Sequence, residues 1–442
     1  MKKVLIIANL YHAFPRIPGI STYLPEFGWQ ATIVTPPLDD KAESQLGFPK
    51  QFLERARIIE VPYHGDIFWF WRKIFKLLGF EIKESITEQI KESVGIISKD
   101  SFIDFIMKWY QTFFAYPDTE KGWKKSALKS AGKVLRKEYF DVILSSIPFP
   151  TSHIVAYNIK KKFGLPWVAD FRDTWTENPV YTFPNFRKRI DRRLEKKTMR
   201  YADAVVTVSL PYANSIESLI KKKPEIIVNG FDPENLNVSG VVLTDKFTIT
   251  YTGTIYTNKQ DPEKFFIALR NLIDKKLIER KDLEVRFYGK ILNWLKNDIE
   301  KYGLNDIVTQ YGTVFRSEVL SRQKESHVLL FFNWEDREKK GLSHLKFFEY
   351  LSAQRPILAS GGFVGDEIEK ILLKTKTGVF APTVENITDA LLNFYKEYKQ
   401  SGKVFYYGRL NEVKKYSYYE AAKKFSIVLS RITKEHYEFN AI

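Results

Sequence analysis

The stretch Gly341-Leu-Ser-His-Leu-Lys-Phe-Phe-Glu-Tyr-Leu-Ser-Ala-Gln-Arg-Pro-Ile-Leu-Ala-Ser360 is the most informative part of this chain. A polar turn, Gly341 to His344, leads directly into an apolar helix. The helix ends before Pro356, because a proline disfavours the helical conformation of the residue that precedes it. The following run Pro-Ile-Leu-Ala predicts a buried strand. Helix and strand in this order are typical of a parallel α/β sheet.

The start of this helix has the features of an anion site. Backbone N–H groups at a helix start, here around Ser343 and His344, are free to bind an anion, and Lys346 adds a positive charge beside them. Glu349, about one turn later, can accept hydrogen bonds from two neighbouring hydroxyls, as on a ribose. This combination suits a nucleotide diphosphate. The alternative is an amphipathic helix whose Lys and Glu are simply solvated, and these residues alone leave both interpretations open.

Length and composition indicate a globular protein of two domains. The chain has 442 residues, 44% of them hydrophobic, so each half can bury its own core. It has no cysteine, which excludes disulfides and thiolate chemistry, and its six histidines lack metal-ligand spacing. The apolar run from Val4 to Leu10 is too short for a signal peptide and predicts a first strand. Because no apolar run reaches about 18 residues, we expect a cytoplasmic protein without a membrane span.

The chain is strongly basic, with a formal net charge of +16. Nucleic acid, an anionic membrane and a phosphorylated small molecule would each complement this charge. Bases concentrate in Arg187–Arg200, where eight Lys or Arg stand against two acids. This run is either one solvated helix face or a face that meets a membrane. No nucleic-acid-binding motif occurs, so we expect no nucleic acid partner and peripheral contact with the inner face of the cell membrane.

Short β-branched runs alternate with helical stretches, which predicts parallel sheets joined by crossover helices. The predicted strands are Val4–Leu10, Ala31–Thr35, Arg57–Val61, Asp141–Ser146, Trp167–Phe171, Ala204–Ser209, Ile226–Val228, Phe247–Thr252, Glu284–Tyr288, Val308–Tyr311, Val328–Phe332, Pro356–Ala359 and Gly378–Phe380. They form two successive doubly wound units, one Rossmann-like domain over 1–235 and another over 236–415. A last helix, predicted within 416–442, would return to the first domain.

Residues 63–116 interrupt this alternation with a helical, aromatic insert. On a helix from Asp66 to Phe80, aromatic residues such as Phe68, Trp71 and Phe75 share one face, and Arg and Lys lie opposite. This pattern is typical of a helix that lies in the membrane interface. The alternative is a helix packed against its own domain.

Three motifs resemble the GT-B glycosyltransferases of the family-4-like, retaining group. Lys346-Phe-Phe-Glu-Tyr-Leu-Ser-Ala353 with the following Arg-Pro-Ile-Leu is similar to their donor-binding motif, Asp170-Phe-Arg-Asp-Thr-Trp175 to "DfRDpW", and Tyr23–Gln30 to "yLpefGW". In that family an E-x7-E pattern places one Glu near the sugar and the second on the ribose. Glu349 matches the second Glu, whereas Gly341 replaces the first. The resemblance implies two Rossmann-like domains that face each other across a cleft.

The resemblance also implies candidate residues on the first domain. Gly19 loosely matches a glycine-rich loop near the sugar and phosphates, and the missing G-x-G-x-x-G argues against a NAD site. His153 follows a strand and is a candidate contact for the acceptor or the sugar, although a lone helix histidine is more often a surface residue. Asp173 would be the hydrogen-bond partner of the acceptor hydroxyl, with Arg172 as its orienter. The alternative is an Asp–Arg ion pair that holds a loop in place.

On the second domain, the turn after strand Phe247–Thr252 is a phosphate-binding turn by position. Family members carry an arginine after Gly253; here Thr254 replaces it, and Lys259 falls at or next to the family's lysine. Lys346 or Lys290 would restore the positive charge.

Val314, which precedes another helix, matches the position where the family's backbone contacts the base. No D-x-D motif follows a predicted strand, so we expect no metal and no cofactor. Lysines and helix starts would bind the leaving diphosphate instead.

Taken with the resemblance, the sequence predicts transfer of a sugar from a UDP-sugar or GDP-sugar to a hydroxyl. The resemblance implies retention of the anomeric configuration, and the alternative is net inversion through a carboxylate base such as Asp173. The acceptor would be a carbohydrate or lipid-linked molecule, such as an intermediate of cell-surface polysaccharide. The predicted catalytic residues are Asp173, Arg172, His153 and Lys346. Two alternatives come from other classes: a GT-B-like sugar-nucleotide epimerase, and a non-catalytic basic scaffold that binds membranes.

Overall fold

The computed structural model describes residues 1–38, 47–63, 109, 111–179, 181–257, 259–335 and 345–440. They form two compact units. The N-terminal unit comprises the described parts of Met1–Val228 together with the chain from Ala421 onward, and the C-terminal unit comprises those of Asn229–Glu420. The predicted interfacial helix at Phe68–Phe80 and the predicted helix start at Gly341–His344 lie outside the described residues.

The N-terminal unit is built on a parallel sheet with strand order β3-β2-β1-β4-β5-β6-β7. Its strands are β1 Lys2–Ile7, β2 Trp29–Thr35, β3 Arg57–Glu60, β4 Val142–Ile147, β5 Trp167–Phe171, β6 Ala204–Thr207 and β7 Glu225–Ile226. The central strands read as continuous apolar runs because helices cover both faces of the sheet; Val4 to Ile7, for example, are completely buried. The strand order reverses beside β1, which pairs with β2 on one side and β4 on the other.

The helices of this unit are α1 Leu10–Ala13, α2 Arg16–Tyr23, α3 Lys50–Arg55, α4 Lys124–Lys137, α5 Thr151–Phe163, α6 Asn185–Met199 and α7 Leu210–Ile220. Short 3-10 helices occur at Leu24–Phe27 and Thr119–Trp123. Helices α4 to α7 pack side by side in one layer. Helix α7 begins where it does because the Ser209 hydroxyl accepts a hydrogen bond from the Tyr212 N–H and Pro211 occupies the first turn.

The C-terminal unit contains a second parallel sheet, with strand order β10-β9-β8-β11-β12-β13. Its strands are β8 Phe247–Thr252, β9 Leu283–Tyr288, β10 Val308–Gly312, β11 Val328–Phe332, β12 Ile357–Ser360 and β13 Gly378–Ala381. Its helices are α8 Glu263–Asp274, α9 Asn293–Lys301, α10 Arg316–Glu325, α11 Leu345–Ser352, α12 Glu367–Thr375, α13 Val384–Ser401 and α14 Leu410–Lys414, with 3-10 helices at Pro233–Leu236 and Arg280–Asp282. The last helix is α15 Tyr418–Asn440.

The predicted fold class is confirmed. Each of the thirteen predicted strands forms within three residues of its expected bounds, and every paired strand is parallel to its neighbour. In both sheets β-strands alternate with helices along the chain. Two doubly wound α/β sheets result, and ligands of such sheets bind at the carboxyl ends of the strands.

Candidate functional site

Three neighbouring strands of the C-terminal unit have a glycine with a positive φ at their carboxyl ends. The glycine directly follows β8 and β9, and it is the last residue of β10. The three glycines are Gly253 at 102°, Gly289 at 152° and Gly312 at 81°. The N–H of Gly253 donates to the Tyr288 carbonyl at 2.7 Å, and the N–H of Gly289 donates to the Gly312 carbonyl at 2.9 Å. A side chain on Gly289 would overlap the carbonyl oxygen of Gly253. The glycines therefore let the turns at this edge of the sheet pack directly on each other.

Lys346 of α11 lies against the first of these turns. Its Nζ donates to the Thr254 carbonyl at 3.2 Å and to the Tyr251 hydroxyl. The same ammonium lies 4.2 Å from the centroid of the Tyr251 ring. A Cβ on Gly253 would come within 3.3 Å of Nζ, so the glycine also makes room for the lysine. The structure thus brings together Gly253, Thr254 and Lys346, which the sequence predicted as parts of one site.

The environment of Lys346 weakens its hold on a proton. Burial lowers the pKa of its ammonium from 10.5 to about 7, and the negative charge of Glu349 acts in the opposite direction. The ammonium therefore loses its proton at a lower pH than a lysine in water does. An anion bound at this turn would favour the charged form.

Glu349, one turn further along α11, forms an ion pair with Arg316. Nη2 of Arg316 lies 2.6 Å from Oε1 of Glu349, and the two side chains are 24% and 11% exposed. Arg316 is the first residue of α10 and follows β10. No sequence motif indicated Arg316, because only the fold brings the start of α10 to this carboxylate.

The remaining predicted donor residues are spread over the same edge. Nζ of Lys259 lies 4.9 Å from the ring centroid of Trp334, which follows β11. Lys290 is exposed after β9, and Val314 is half-buried after β10. Ser343 and His344 lie outside the described residues.

The N-terminal unit contains a buried ion pair within the predicted Asp170–Trp175 motif. Arg16 and Asp170 are both 0% exposed, with Nη2 of Arg16 2.9 Å from Oδ1 of Asp170. Ser146 donates to the same carboxylate at 2.8 Å. The rest of the guanidinium donates to the carbonyls of Ile227 at 2.8 Å and Val228 at 3.0 Å. Asp170, on β5, is therefore linked to α2 and β4 and, through Arg16, to the chain after β7, an arrangement typical of a structural ion pair.

Gly19 does not lie in a glycine-rich loop as predicted. It is buried inside α2, and its N–H donates to the Pro15 carbonyl at 2.9 Å. The helix already begins at Arg16, whose buried pairing with Asp170 draws this part of the chain against the sheet. The N–H of Gly19 is consequently used within the helix rather than offered to a phosphate.

His153 was predicted as a polar contact and is instead completely buried. Its Nδ1 lies 2.7 Å from the Ser145 hydroxyl, and its ring lies 4.7 Å from that of Phe171. Burial lowers the pKa of His153 to about 3, so the imidazole is neutral. Its position is that of a core residue, because α5 packs it against β4 and β5.

Arg172 and Asp173 follow β5 and are half-buried. Arg172 donates to the carbonyls of Phe14, at 3.1 Å, and of His12. It therefore holds the segment after β1 by hydrogen bonds to backbone carbonyls, whereas the alternative interpretation of this motif expected an Asp–Arg ion pair. Burial raises the pKa of the Asp173 carboxyl, against the opposing effect of the Arg172 charge. Asp173 stays a predicted contact for an acceptor hydroxyl.

A second group of polar residues lies where the strand order reverses. Nε2 of His12, after β1, lies 3.8 Å from Oε1 of Glu120, and Asn9 donates to Oε2 of Glu120 at 3.0 Å. The His12 ring also lies 4.6 Å from that of Phe149, after β4. Doubly wound sheets bind ligands at such a point. This position rule was a signal for Asn9 and His12, whereas nothing in the sequence pointed to Glu120.

Part of the chain matches a protein-family model. Residues 108–235 match the model described as Glycosyltransferase Family 4. The matched region contains strands β4 to β7, the Asp170–Trp175 motif and the basic run Arg187–Arg200. No curated protein sequence matches the chain significantly.

Several solved structures share the fold. HepE of Anabaena, in complex with UDP and glucose, is 11% identical over 98% of this chain and 100% of its own, with a TM-score of 0.60. Sucrose-phosphate synthase of Thermosynechococcus elongatus is 12% identical over 100% and 98%, with a TM-score of 0.51. A putative UDP-N-acetylglucosamine 2-epimerase of Listeria monocytogenes is 12% identical over 96% and 95%, also with 0.51. The fold is therefore GT-B, as predicted, and the family match supports the resemblance to the family-4-like group.

Proposed function

We propose that this protein is a glycosyltransferase that moves a sugar from a nucleotide diphosphate sugar to an acceptor hydroxyl. The proposal rests on one arrangement in the C-terminal unit: Lys346 lies against the turn after β8, and Glu349 lies one turn away. The lysine offers the diphosphate a cation, and the carboxylate can accept hydrogen bonds from ribose hydroxyls. The family match, and the UDP bound in HepE, support this assignment.

The chemistry follows from the charges at this edge of the sheet. When the sugar leaves, negative charge grows on the terminal phosphate, and fixed positive charge beside it lowers the barrier. Lys346, with a pKa of about 7 before the anion binds, becomes fully protonated beside a diphosphate. Asp173 contacts the acceptor hydroxyl, with Arg172 as its orienter. The family resemblance supports retention of the anomeric configuration, with attack on the face from which the diphosphate leaves.

The donor is a UDP-sugar or a GDP-sugar, and the reaction proceeds without a metal ion or cofactor. Lys259 follows β8, Lys290 follows β9, and Lys346 lies on α11 against the turn after β8. We expect these lysines to neutralise the diphosphate in the place of a divalent cation.

The acceptor is a lipid-linked or cell-surface polysaccharide intermediate that the protein meets at an anionic membrane. Residues 119–223 contain 22 Lys or Arg against 10 Asp or Glu, so they carry +12 of the net charge of +16. On α6 the two acids, Asp191 and Glu195, are buried, while Arg189, Arg193 and Lys197 are exposed. The outward face of this layer is thus cationic, which favours anionic lipid headgroups. No helix within the described residues is long and apolar enough to cross a membrane.

A panel of nucleotide sugars tests the proposal directly. A bound donor raises the midpoint of thermal unfolding by mass action. We expect UDP-sugars or GDP-sugars to stabilise the protein, and a sugar to be transferred from the stabilising donor when acceptors from membrane extracts are supplied. Absence of stabilisation by every nucleotide diphosphate and nucleotide sugar would contradict the proposal.

A sugar-nucleotide epimerase is the second candidate, favoured by the similar fold of the putative Listeria epimerase. An epimerase converts its donor without any acceptor, whereas a glycosyltransferase does not. Chromatography of the donor after incubation with the protein alone separates the two. A new isomer of the nucleotide sugar, formed without acceptor, would favour the epimerase.

Flotation with phosphatidylglycerol vesicles tests the membrane contact. The double variant Arg193→Glu/Lys197→Glu reverses two charges on α6 and should leave the vesicle fraction. Its matched control, Lys275→Glu/Lys414→Glu, reverses two exposed charges of the C-terminal unit and should float like the wild type. Equal behaviour of the two variants would contradict a role for α6, and binding to neutral phosphatidylcholine would argue against the electrostatic attraction.

A further inference from the structure

The ion pair between Arg316 and Glu349 has no part in the chemistry proposed so far. Nη2 of Arg316 is 2.6 Å from Oε1 of Glu349. The pair joins the start of α10 to the middle of α11, two helices that lie on either side of β11 in the chain. The arginine side chain is 24% exposed and the glutamate side chain 11%, so the contact is largely shielded from water. Shielding makes such a charge-assisted contact stronger and better defined than a surface pair.

Glu349 also interacts electrostatically with a second cation. Lys346 lies one turn before it on α11, close enough for the carboxylate to raise the pKa of that lysine. The carboxylate therefore stands between an arginine, which engages one of its oxygens, and a lysine directed at the turn after β8. Without the arginine, attraction to Lys346 would draw the carboxylate towards the phosphate side of the site.

A flexible carboxylate makes a poor ribose contact. A glutamate side chain loses rotamer entropy when it is fixed in one conformation. If the protein fixes it beforehand, the nucleotide does not bear that cost on binding. A carboxylate has two oxygens with several acceptor sites, so one oxygen can pair with Arg316 while the other accepts from a hydroxyl.

We propose that Arg316 is a positioning residue that holds the Glu349 carboxylate in the orientation that accepts hydrogen bonds from the ribose hydroxyls. This inference rests on the proposed function, because it takes a nucleoside diphosphate to be the ligand of this site. Arg316 acts through Glu349 and sets the preference for a ribonucleotide over one that lacks its hydroxyls. It is a requirement of ribose recognition and not of diphosphate binding.

A different role for Arg316 would leave a different signature. If its guanidinium bound the diphosphate directly, its loss would weaken ribonucleotides and dideoxyribonucleotides by the same factor. If it merely competed with the ribose for Glu349, its loss would strengthen binding of the ribonucleotide. Positioning alone predicts a loss confined to nucleotides that carry the hydroxyls.

Calorimetric titration with UDP and with 2′,3′-dideoxy-UDP distinguishes these roles, with GDP and dideoxy-GDP as a second pair. Wild-type protein should prefer the ribonucleotide by about 100-fold, as expected for two hydrogen bonds to a charged acceptor. In Arg316→Gln that preference should fall below about tenfold, through a loss of ribonucleotide affinity alone. Arg316→Lys keeps the charge without the planar fork and should give an intermediate preference.

Two further variants serve as references. Glu349→Gln should abolish most of the preference for the ribonucleotide over the dideoxynucleotide. The double variant Glu349→Gln/Arg316→Gln should show almost the same preference as Glu349→Gln alone, because both changes act on one contact. Arg322→Gln, which removes an arginine of the same helix that pairs with Glu318 at 3.1 Å and Glu325 at 3.0 Å, should keep the wild-type preference. Far-ultraviolet circular dichroism and urea unfolding check that each variant is folded.

The remaining outcomes overturn the inference. An equal loss for both nucleotides, an unchanged preference or a gain of ribonucleotide affinity in Arg316→Gln would each do so. If the wild-type protein binds both nucleotides equally, the proposed contact of Glu349 with the ribose and the positioning role of Arg316 are both wrong. The proposed function would still stand. A wild-type protein that binds no nucleoside diphosphate at all would overturn the proposed function and this inference with it.

Discussion

Each unit places an arginine beside a carboxylate at the carboxyl edge of a parallel sheet, and the two pairs differ in how far solvent reaches them. Arg16 and Asp170 in the N-terminal unit are 0% exposed, whereas Arg316 and Glu349 in the C-terminal unit are partly open to solvent. The Asp170 carboxylate accepts hydrogen bonds from Arg16 and Ser146, and the remaining N–H groups of Arg16 donate to backbone carbonyls. The Glu349 carboxylate has an additional cation, Lys346, beside it. The first pair is complete by itself, and the second leaves positive charge for a ligand to neutralise.

The comparison teaches that residue types at a strand end do not distinguish a structural pair from a binding site. The deciding quantity is whether the protein itself satisfies the charges. A fully buried pair whose donors and acceptors are all matched holds the fold together, and removing one partner leaves a buried charge without compensation. A partly exposed group with excess positive charge keeps binding capacity at the expense of stability.

The largest expected effect is on the buried pair. Asp170→Ala should lower the free energy of unfolding by about 3–5 kcal/mol, because it leaves the Arg16 guanidinium buried and uncompensated. Urea unfolding followed by tryptophan fluorescence measures the change, and the double variant Arg16→Met/Asp170→Leu should recover part of it. Wild-type stability in Asp170→Ala, together with lost activity, would break the comparison and assign Asp170 to catalysis.

Removing the carboxylate charge of the partly exposed pair, Arg316 and Glu349, should affect activity more than stability. Glu349→Gln should reduce kcat/KM by about 100-fold through lost hydrogen bonds to the ribose. Its unfolding free energy should change by only about 1–2 kcal/mol, since the site is partly solvated. Glu318→Gln, on α10, is the control and should retain the wild-type kcat/KM. A folded Glu349→Gln variant with unchanged kinetics would sink the ribose contact.

The extra cation makes nucleotide binding depend on pH. Lys346 has a pKa of about 7, so above that pH the free protein must take up a proton when a diphosphate binds. We expect the affinity for UDP or GDP to fall by up to about tenfold per pH unit above 7, as a single linked proton requires. Lys346→Arg stays charged throughout and should flatten the profile between pH 7 and 9. A slope of equal size in that variant would show that another group titrates.

The same lysine should destabilise its own unit. Its pKa is lowered on folding from 10.5 to about 7, so the unfolded chain binds more protons between these pH values and stability rises with pH in that window. Lys346→Met should remove this slope and raise the unfolding free energy at pH 7 by about 1 kcal/mol. Arg16→Met should instead lower the unfolding free energy at pH 7. Urea titrations of both variants at pH 7 and pH 9 measure the contrast, and equal signs would contradict it.

The smallest expected effect is that of metal removal. Turnover should be unchanged by EDTA if, as proposed, lysines at the ends of β8 and β9 and on α11 neutralise the leaving phosphates. Rates of sugar transfer are measured with and without the chelator, followed by addition of magnesium or manganese. Loss of turnover that either metal restores would show that the cations of this unit are insufficient.

The strands were largely predictable. Parallel strands that are buried on both faces leave continuous apolar runs, and the predicted bounds of Phe247–Thr252 and Val328–Phe332 match the structure to the residue. Position rules and a local motif singled out Gly253 and Lys346, which lie together at one turn; their part in donor binding, like that of Glu349, stays a prediction. Those rules failed for His153 and Gly19, since neither spacing nor motif reports which side of an element faces the interior.

The sequence by itself determined the alternation of strands and helices, the two doubly wound sheets and the helix that carries Lys346 and Glu349. Only the tertiary structure decided which charged residues meet: Arg16 with Asp170, 154 positions apart, and Arg316 with Glu349. The reason is physical. Periodicity and turn chemistry act over a few neighbouring residues, whereas an ion pair depends on strand order, which brings the ends of strands distant in sequence to one edge of a sheet and decides which charges water can still reach.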